Sequence, residues 1–146
     1  MTVVLKLGGS VITDKARPET VDDDTLDRAL GTIADADVSS LALVHGAGSF
    51  GHHHAEKHGV TPTEGSHDAE GVWAIHDSMR RLNDEVVGRL QAAGVPALPV
   101  HPLSVGARDA ESALSLALDS TATMLEEGFV PVLHGDVIAQ AEAGAT

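Results

Sequence analysis

Cysteine is absent from this 146-residue chain, lysine occurs only at Lys6, Lys15 and Lys57, and aromatic residues other than histidine make up 2%. The first absence excludes both a disulfide framework and a thiolate metal site. Basic side chains number 9 against 22 acidic ones, a formal charge of −13, which excludes nonspecific attraction to nucleic acid or to an anionic membrane. No apolar run is long enough to span a bilayer, and Met1 leads directly into a short strand-like run with no basic leader. The expected compartment is therefore the cytoplasm.

Apolar residues make up 42% of the chain, enough for one soluble domain with its own core. Residues 3–7 read as a strand and the polar stretch through Asp14, Lys15, Arg17 and Pro18 as a loop. Asp22 to Asp24 place carboxylates at the start of a helix whose Leu26, Leu30 and Ile33 recur at helical spacing. The unbroken apolar run 41–44 suits a strand buried on both faces. Residues 52–58 read as a short helix and 59–66, with Gly59, Pro62 and Gly65, as a surface loop.

The clearest helix covers 67–93, where Val72, Ile75, Met79, Leu82, Val86 and Leu90 keep spacings of three and four, and Gly94 ends it. A strand at 97–100 follows, with Pro102 barring a helix across that junction. A second long helix is expected over 109–127, turning Leu114, Leu118 and Leu125 to the core and ending at Gly128. A strand at 130–133 and a hairpin opening at 137–140 complete the chain. Strands alternating with helices predict right-handed parallel βαβ units, hence a three-layer αβα sandwich with a mainly parallel sheet. The chain stops before a helix closes the last unit, so the expected fold is incomplete at the C-terminus.

Three of these strands run into glycine-bearing turns: Gly8-Gly9-Ser10, His45-Gly46-Ala47-Gly48-Ser49-Phe50-Gly51-His52, and His134-Gly135-Asp136. Ligands of an open α/β sheet sit outside the carboxyl ends of its strands, so the turns can meet at one edge. Glycine lets the backbone approach an anion and offer successive N–H groups to it, and Lys6 and Lys15 flank the first turn. This is a phosphate-site pattern, although Gly8-Gly9 alone also fits a plain tight turn. It is neither G-x-x-x-x-G-K-[ST], since Lys6 precedes the glycines, nor G-x-G-x-x-G.

Nine histidines are present. Adjacent residues of His52-His53-His54 point in different directions and lack a spaced partner, so no metal site is assigned. His53, His54, His58, His67 and His76 read as solvated surface residues, while His45 and His134 are placed to orient turns. Trp73 and Phe129 suit the core or an interface. Phe50 suits either a place beneath its turn or the border of an apolar pocket.

Leu5-Lys6-Leu7-Gly8-Gly9-Ser10 with Thr13-Asp14-Lys15, the segment His45 to His52, and His134-Gly135-Asp136-Val137 together resemble the isopentenyl phosphate kinases. The first block marks the wider amino acid kinase family; Ser49-Phe50-Gly51-His52 is the more specific. The resemblance spans the chain but only the amino-terminal portion of the family's length, so residues 1–146 would be the acceptor- and phosphate-binding part, without the nucleotide-binding half. It implies ATP and Mg2+ as cofactors, isopentenyl phosphate as acceptor, and a homodimer. Lys6, Leu7, Gly8, Gly9, Ser10 and Gly48 would hold the ATP phosphates. Ala47, His52 and Gly135 would hold isopentenyl phosphate, and Lys6, Lys15 and His52 would carry catalysis. Ala47 stands where a glycine is common, and its N–H can still donate.

Phosphoryl transfer asks a protein chiefly to align two anions and neutralise charge on the moving group, which lysines and rows of N–H donors do. Histidine suits an acceptor phosphate because near neutral pH it switches readily to a double donor. The acid-rich, lysine-poor composition also resembles that of proteins from salt-loving archaea, where screening relieves carboxylate repulsion. Two alternatives stand beside this reading: a phosphonate or carboxylate kinase of the same family, and a noncatalytic fragment that only binds phosphate.

Overall fold

The computed structural model describes residues 1–36 and 38–146. In chain order its elements are β1 (Val3–Leu7), α1 (Gly9–Ile12), α2 (Asp23–Asp35), β2 (Leu41–His45), α3 (Gly48–His58), α4 (Ala69–Ala92) and β3 (Ala97–Val100). These are followed by α5 (Pro102–Val105), β4 (Gly106–Arg108), β5 (Leu114–Leu116), α6 (Asp119–Glu126), β6 (Val130–His134), β7 (Ala139–Gln140) and β8 (Gly144–Ala145).

The four apolar strands form one parallel sheet in the order β1-β2-β6-β3. Its two inner strands, β2 and β6, are buried at four of five positions each, as unbroken apolar runs require, whereas β1 is exposed from Val4 to Lys6. Helix α2 starts where its acids lie, with the Asp22 carboxylate accepting from Thr25 N–H at 3.0 Å. Leu26 and Leu30 of α2 join Met79, Leu82, Val86 and Leu90 of α4 and Leu43 and Val132 of the sheet in the main core. From β1 to β2 and on to β3 the chain steps one way along the sheet, and from β3 back to β6 it steps the other. Right-handed crossovers then put α6 on the face opposite α2 and α4. Helix α4 ends at Gly94 (φ 84°) and α6 at Gly128 (φ 81°), where a left-handed residue is needed to turn the chain out.

The helix expected over 109–127 is corrected. Only its second half, α6, is helical; the first half is a β-hairpin in which β4 pairs antiparallel with β5. The Asp109 carboxylate accepts from Ala113 N–H at 2.8 Å and Ser112 takes φ 67°, so the local turn closes the hairpin instead of propagating a helix. Leu114, Leu116 and Leu118 are all exposed, so the core contact that would have selected a helical stripe is absent, and Leu125 is only half-buried. The hairpin foreseen at 137–140 is present, with β7 paired to β8, and it joins β4 and β5 in a second small sheet. Helix α3 begins at Gly48 rather than near residue 52, and Pro102 opens the short α5 at its first position, where its missing N–H costs nothing. Trp73 and Phe129 are exposed, so neither belongs to the core. Phe50 lies in the core beneath its turn, and its carbonyl accepts from the Ser78 hydroxyl at 3.0 Å.

Candidate active site

The three glycine turns leave β1, β2 and β6, which are neighbours in the sheet, and they pack on one another. A Cβ placed on Gly9 would lie 2.7 Å from the Gly46 carbonyl carbon and 2.8 Å from Ala47 N, and one on Gly46 would lie 2.6 Å from Gly9 N. The first two turns therefore meet backbone to backbone, which no side chain permits. Gly48 sits at φ 51°, the left-handed conformation that starts α3 at this angle. Thr13 ties the turns together: its buried hydroxyl donates to Gly9 O at 2.7 Å and accepts from Ser49 N–H at 3.0 Å. The third turn stands alongside, an ideal Cβ on Gly135 being 3.5 Å from Ala47 N.

Two cavities open at this edge. One, of about 300 Å³, is walled largely by Ala55, Val60, Ile75, Met79, Val137 and Ile138, and its polar lining comprises Ala47, His52, Gly135 and Asp136 together with Thr61, Arg108 and Thr146. The other, of about 410 Å³, is lined by Ser10, Lys15, Gly48, Ser49, His52, His53 and Glu56, together with Ala16 and Pro18. His52 is the one residue common to both linings. Among the described residues, neither Ala47 N–H nor Asp136 N–H has an acceptor within the protein. One cavity thus pairs an apolar wall with free N–H donors and an imidazole, and the other is polar and carries a lysine. The first suits a short hydrocarbon with an anionic head, the second a second anion facing it across His52.

Beneath the turns lies a histidine network. His45 and His134 end β2 and β6 in matching register, 1% and 3% exposed, with their rings stacked at 5.8 Å. His134 Nδ1 is 2.9 Å from the Gly135 carbonyl and its Nε2 is 2.8 Å from His101 Nδ1. A carbonyl only accepts, so Nδ1 of His134 carries the proton, Nε2 is the acceptor, and His101 donates to it. Burial pushes the His134 imidazole down to about 3, the neighbouring His45, His101 and His76 rings adding to the effect, so this ring is neutral at physiological pH. Burial likewise lowers His45, and lowers His101 with help from His76.

His45 Nδ1 approaches the Gly46 carbonyl at 3.1 Å while its Nε2 lies 2.9 Å from Asn83 Oδ1. A neutral ring cannot donate at both, and Asn83 Nδ2 is buried without a partner. Exchanging the O and N of that amide resolves the conflict: Nδ2–H then donates to His45 Nε2, and Nδ1–H donates to Gly46. Asp136, whose carboxyl burial pushes up, is held by His76 Nδ1 at 2.9 Å and by the N–H groups of Leu103 and Val137.

Of the residues singled out from sequence, Ala47, His52 and Gly135 come together at the apolar cavity, and Ser10, Lys15, Gly48 and His52 at the polar one. Lys6, Leu7, Gly8 and Gly9 line neither; Lys6 is exposed near the end of β1 and Gly9 is buried against the second turn. The reading of His76 as a solvated surface residue is overturned. It is buried and paired with Asp136, because α4 delivers it to a carboxylate 60 residues away, which no local pattern discloses. His54 is also half-buried, paired with Glu19 at 3.0 Å. His101 was not singled out at all; a histidine at the end of a strand, like those at 45 and 134, was the available signal.

The sequence profile of the amino acid kinase family matches residues 1–145. The chain belongs to the amino acid kinase family. Within it, this amino acid kinase chain is 63% identical over 145 residues to the isopentenyl phosphate kinase of Haloferax volcanii, covering 99% of this chain and 58% of that one. It is 37% identical over 142 residues to the enzyme of the same name from Methanothermobacter thermautotrophicus, covering 93% and 53%. Among solved structures, an isopentenyl phosphate kinase superposes with a TM-score of 0.92 at 34% identity, over 100% of this chain and 62% of that one. A product complex of the Thermoplasma acidophilum isopentenyl phosphate kinase superposes with a TM-score of 0.81 at 26% identity, over 100% and 59%. The chain thus spans a little over half the length of the Haloferax volcanii and Methanothermobacter thermautotrophicus relatives.

Proposed function

We propose that this chain supplies the acceptor site, and part of the donor-phosphate site, of an isopentenyl phosphate kinase that transfers the γ-phosphate of ATP to isopentenyl phosphate, giving isopentenyl diphosphate and ADP. The observation that carries this reading is the apolar cavity whose polar end, at Ala47, His52 and Gly135, abuts a lysine-bearing polar cavity through His52. The hydrocarbon of isopentenyl phosphate would lie against Ile75, Met79 and Val137, and its phosphate would meet His52 and the Ala47 and Asp136 N–H groups. A non-bridging oxygen of that phosphate attacks the γ-phosphorus as the bond to the ADP oxygen breaks. The nucleophile is already anionic, so no strong general base is required, and alignment with charge neutralisation does most of the work. Lys15 in the polar cavity and Lys6 at the end of β1 would neutralise the transferring group, with the Gly8, Gly9, Ser10 and Gly48 backbone around the ATP phosphates.

Mg2+ would arrive with the nucleotide, screening its phosphate charge. Such ions usually ride on phosphate oxygens with one or two carboxylates, and Glu56 is the carboxylate lining the polar cavity. Among the described residues no cluster of three ligating side chains would hold a metal by itself. A homodimer, as the family resemblance implies, would have exposed apolar side chains such as Trp73, Leu114, Leu116, Leu118 and Phe129 available to its interface. Work at high salt is supported by the charge of −13 and by the Haloferax relative. No helix among the described residues is long and apolar enough to cross a membrane, which accords with a cytoplasmic enzyme.

The test uses this chain continued, at its C-terminus, by the part of the Haloferax volcanii kinase beyond the matched region, here the extended protein. Given Mg-ATP and isopentenyl phosphate in molar KCl, it should form isopentenyl diphosphate, read by 31P NMR. Transfer to a phosphonate or carboxylate but not to isopentenyl phosphate would replace this reading with another kinase of the family. Binding of isopentenyl phosphate with no transfer to any acceptor would replace it with a phosphate-binding protein.

A further inference from the structure

We infer that His45 and His134 are twin backbone locks, positioning residues that hold the Gly46 and Gly135 carbonyls inward so that the next N–H groups, those of Ala47 and Asp136, face the acceptor phosphate. The inference rests on the proposed acceptor site and names the groups that shape it. A trans peptide is planar, with its C=O and N–H pointing in opposite directions. Fixing one end therefore aims the other. In both turns the imidazole lies in the protein interior and reaches the carbonyl of the next residue, at 3.1 Å for His45 and 2.9 Å for His134. The N–H on the far side of each peptide belongs to a residue that lines the apolar cavity and has no acceptor among the described residues.

The device is duplicated. His45-Gly46 and His134-Gly135 end adjacent parallel strands in the same register, so the two freed N–H groups arise side by side, as a two-pronged anion site requires. Glycine follows the histidine each time. A Cβ on Gly46 would collide with Gly9, and Gly135 stands next to Ala47 N, so the close approach of the turns accompanies the lock. The tautomer that performs the locking is itself fixed: His101 donates to His134 Nε2, which leaves Nδ1 as the protonated nitrogen. Asn83 does the same for His45 once its amide is oriented as argued above. Loss of a lock leaves the overall charge of the site unchanged and lets the peptide rotate, so the cost falls on phosphate recognition.

Asparagine places an N–H donor where histidine has Nδ1, glutamine reaches toward the Nε2 position, and leucine offers no donor. In the extended protein His134→Asn should hold the KM for isopentenyl phosphate within about 2-fold of the unaltered protein. His134→Leu and His134→Gln should raise it about 10-fold or more, as expected when a hydrogen bond to a charged group is lost, and the KM for ATP should stay unchanged in all three. Crystal structures should show the Gly135 carbonyl inward in the Asn variant and rotated in the Leu variant. If His134→Leu does not fold, His134→Gln of similar size decides the matter by the same readings. An unchanged KM in a folded Leu or Gln variant, or an equal loss in the Asn variant, overturns the lock. Failure of the unaltered extended protein to bind isopentenyl phosphate sinks the functional reading instead. The lock is then judged on the Gly135 peptide alone, and an inward carbonyl in His134→Leu overturns it.

Discussion

The two cavities that share His52 are built differently. The cavity proposed for the acceptor is walled by α3, α4, the loop at residues 60–62, the segment after β6, Arg108 and Thr146, and most of its wall is apolar. The polar cavity is bounded by α1, the loop at 15–18 and the first turns of α3, and its described lining carries no Phe, Tyr, Trp or large aliphatic side chain. Under the proposed assignment, the acceptor cavity has a hydrocarbon wall and anion donors within this chain, while the polar cavity offers phosphate donors and charge only. Acceptor recognition should then be separable from turnover.

The largest expected effect breaks the two apart. The 146-residue chain alone should bind isopentenyl phosphate by calorimetry yet show no detectable diphosphate formation, whereas the extended protein turns over; comparable rates from both would erase the distinction. Next, Lys6→Ala and Lys15→Ala in the extended protein should each lower kcat by about 100-fold or more with little change in the KM for isopentenyl phosphate. Charge placed to meet the transition state acts there first. A raised KM at constant kcat in both would reassign the lysines to ground-state binding.

His52, on the border, should matter to both cavities. His52→Ala should reduce kcat/KM by about 10- to 150-fold, the worth of a charged hydrogen bond. His53→Ala, lining only the polar cavity, should cost less than about 3-fold. Equal losses would remove the reason for placing His52 between the substrates.

The smallest effect concerns stability. His45, His101 and His134 are held neutral by burial, His134 down to about 3. The unfolded chain takes up protons near pH 6.5. Their contribution is thus fully present above about pH 6.5 and is lost as the pH falls below it, that of His134 toward about 3. Asp136, raised by burial, works in the opposite sense, giving up stability as the pH climbs past its ordinary range. The melting temperature should fall between about pH 7 and pH 4, less steeply in His134→Asn. A slope identical in the variant would mean that His134 is not among the groups responsible.

Much of the fold was legible because burial on both faces leaves a local trace. The runs at 41–44, 97–100 and 130–133 and the long stripe from Val72 to Leu90 match β2, β3, β6 and α4 to within a few residues. The segment 109–118 was illegible for the converse reason. Leucines at 114 and 118 fit a helix and those at 114 and 116 fit a strand, and with all of them exposed no core contact favours one period. The Asp109 turn settles it, and that turn is visible only once Ala113 N–H is seen to reach the carboxylate.

At the site, composition and order dictated that three glycine turns follow three strands, that lysines flank the first of them, and that His52 closes the second. These are properties of single segments, and backbone sterics account for the glycines among them. The tertiary structure decided which of those groups share a cavity, that Gly9 packs against a second turn, and that His76 reaches Asp136. It also decided that His101 fixes the proton on His134. Each of these joins residues far apart in the chain, and a contact of that kind is set by how helices and strands stack on the sheet rather than by any pattern a local window contains.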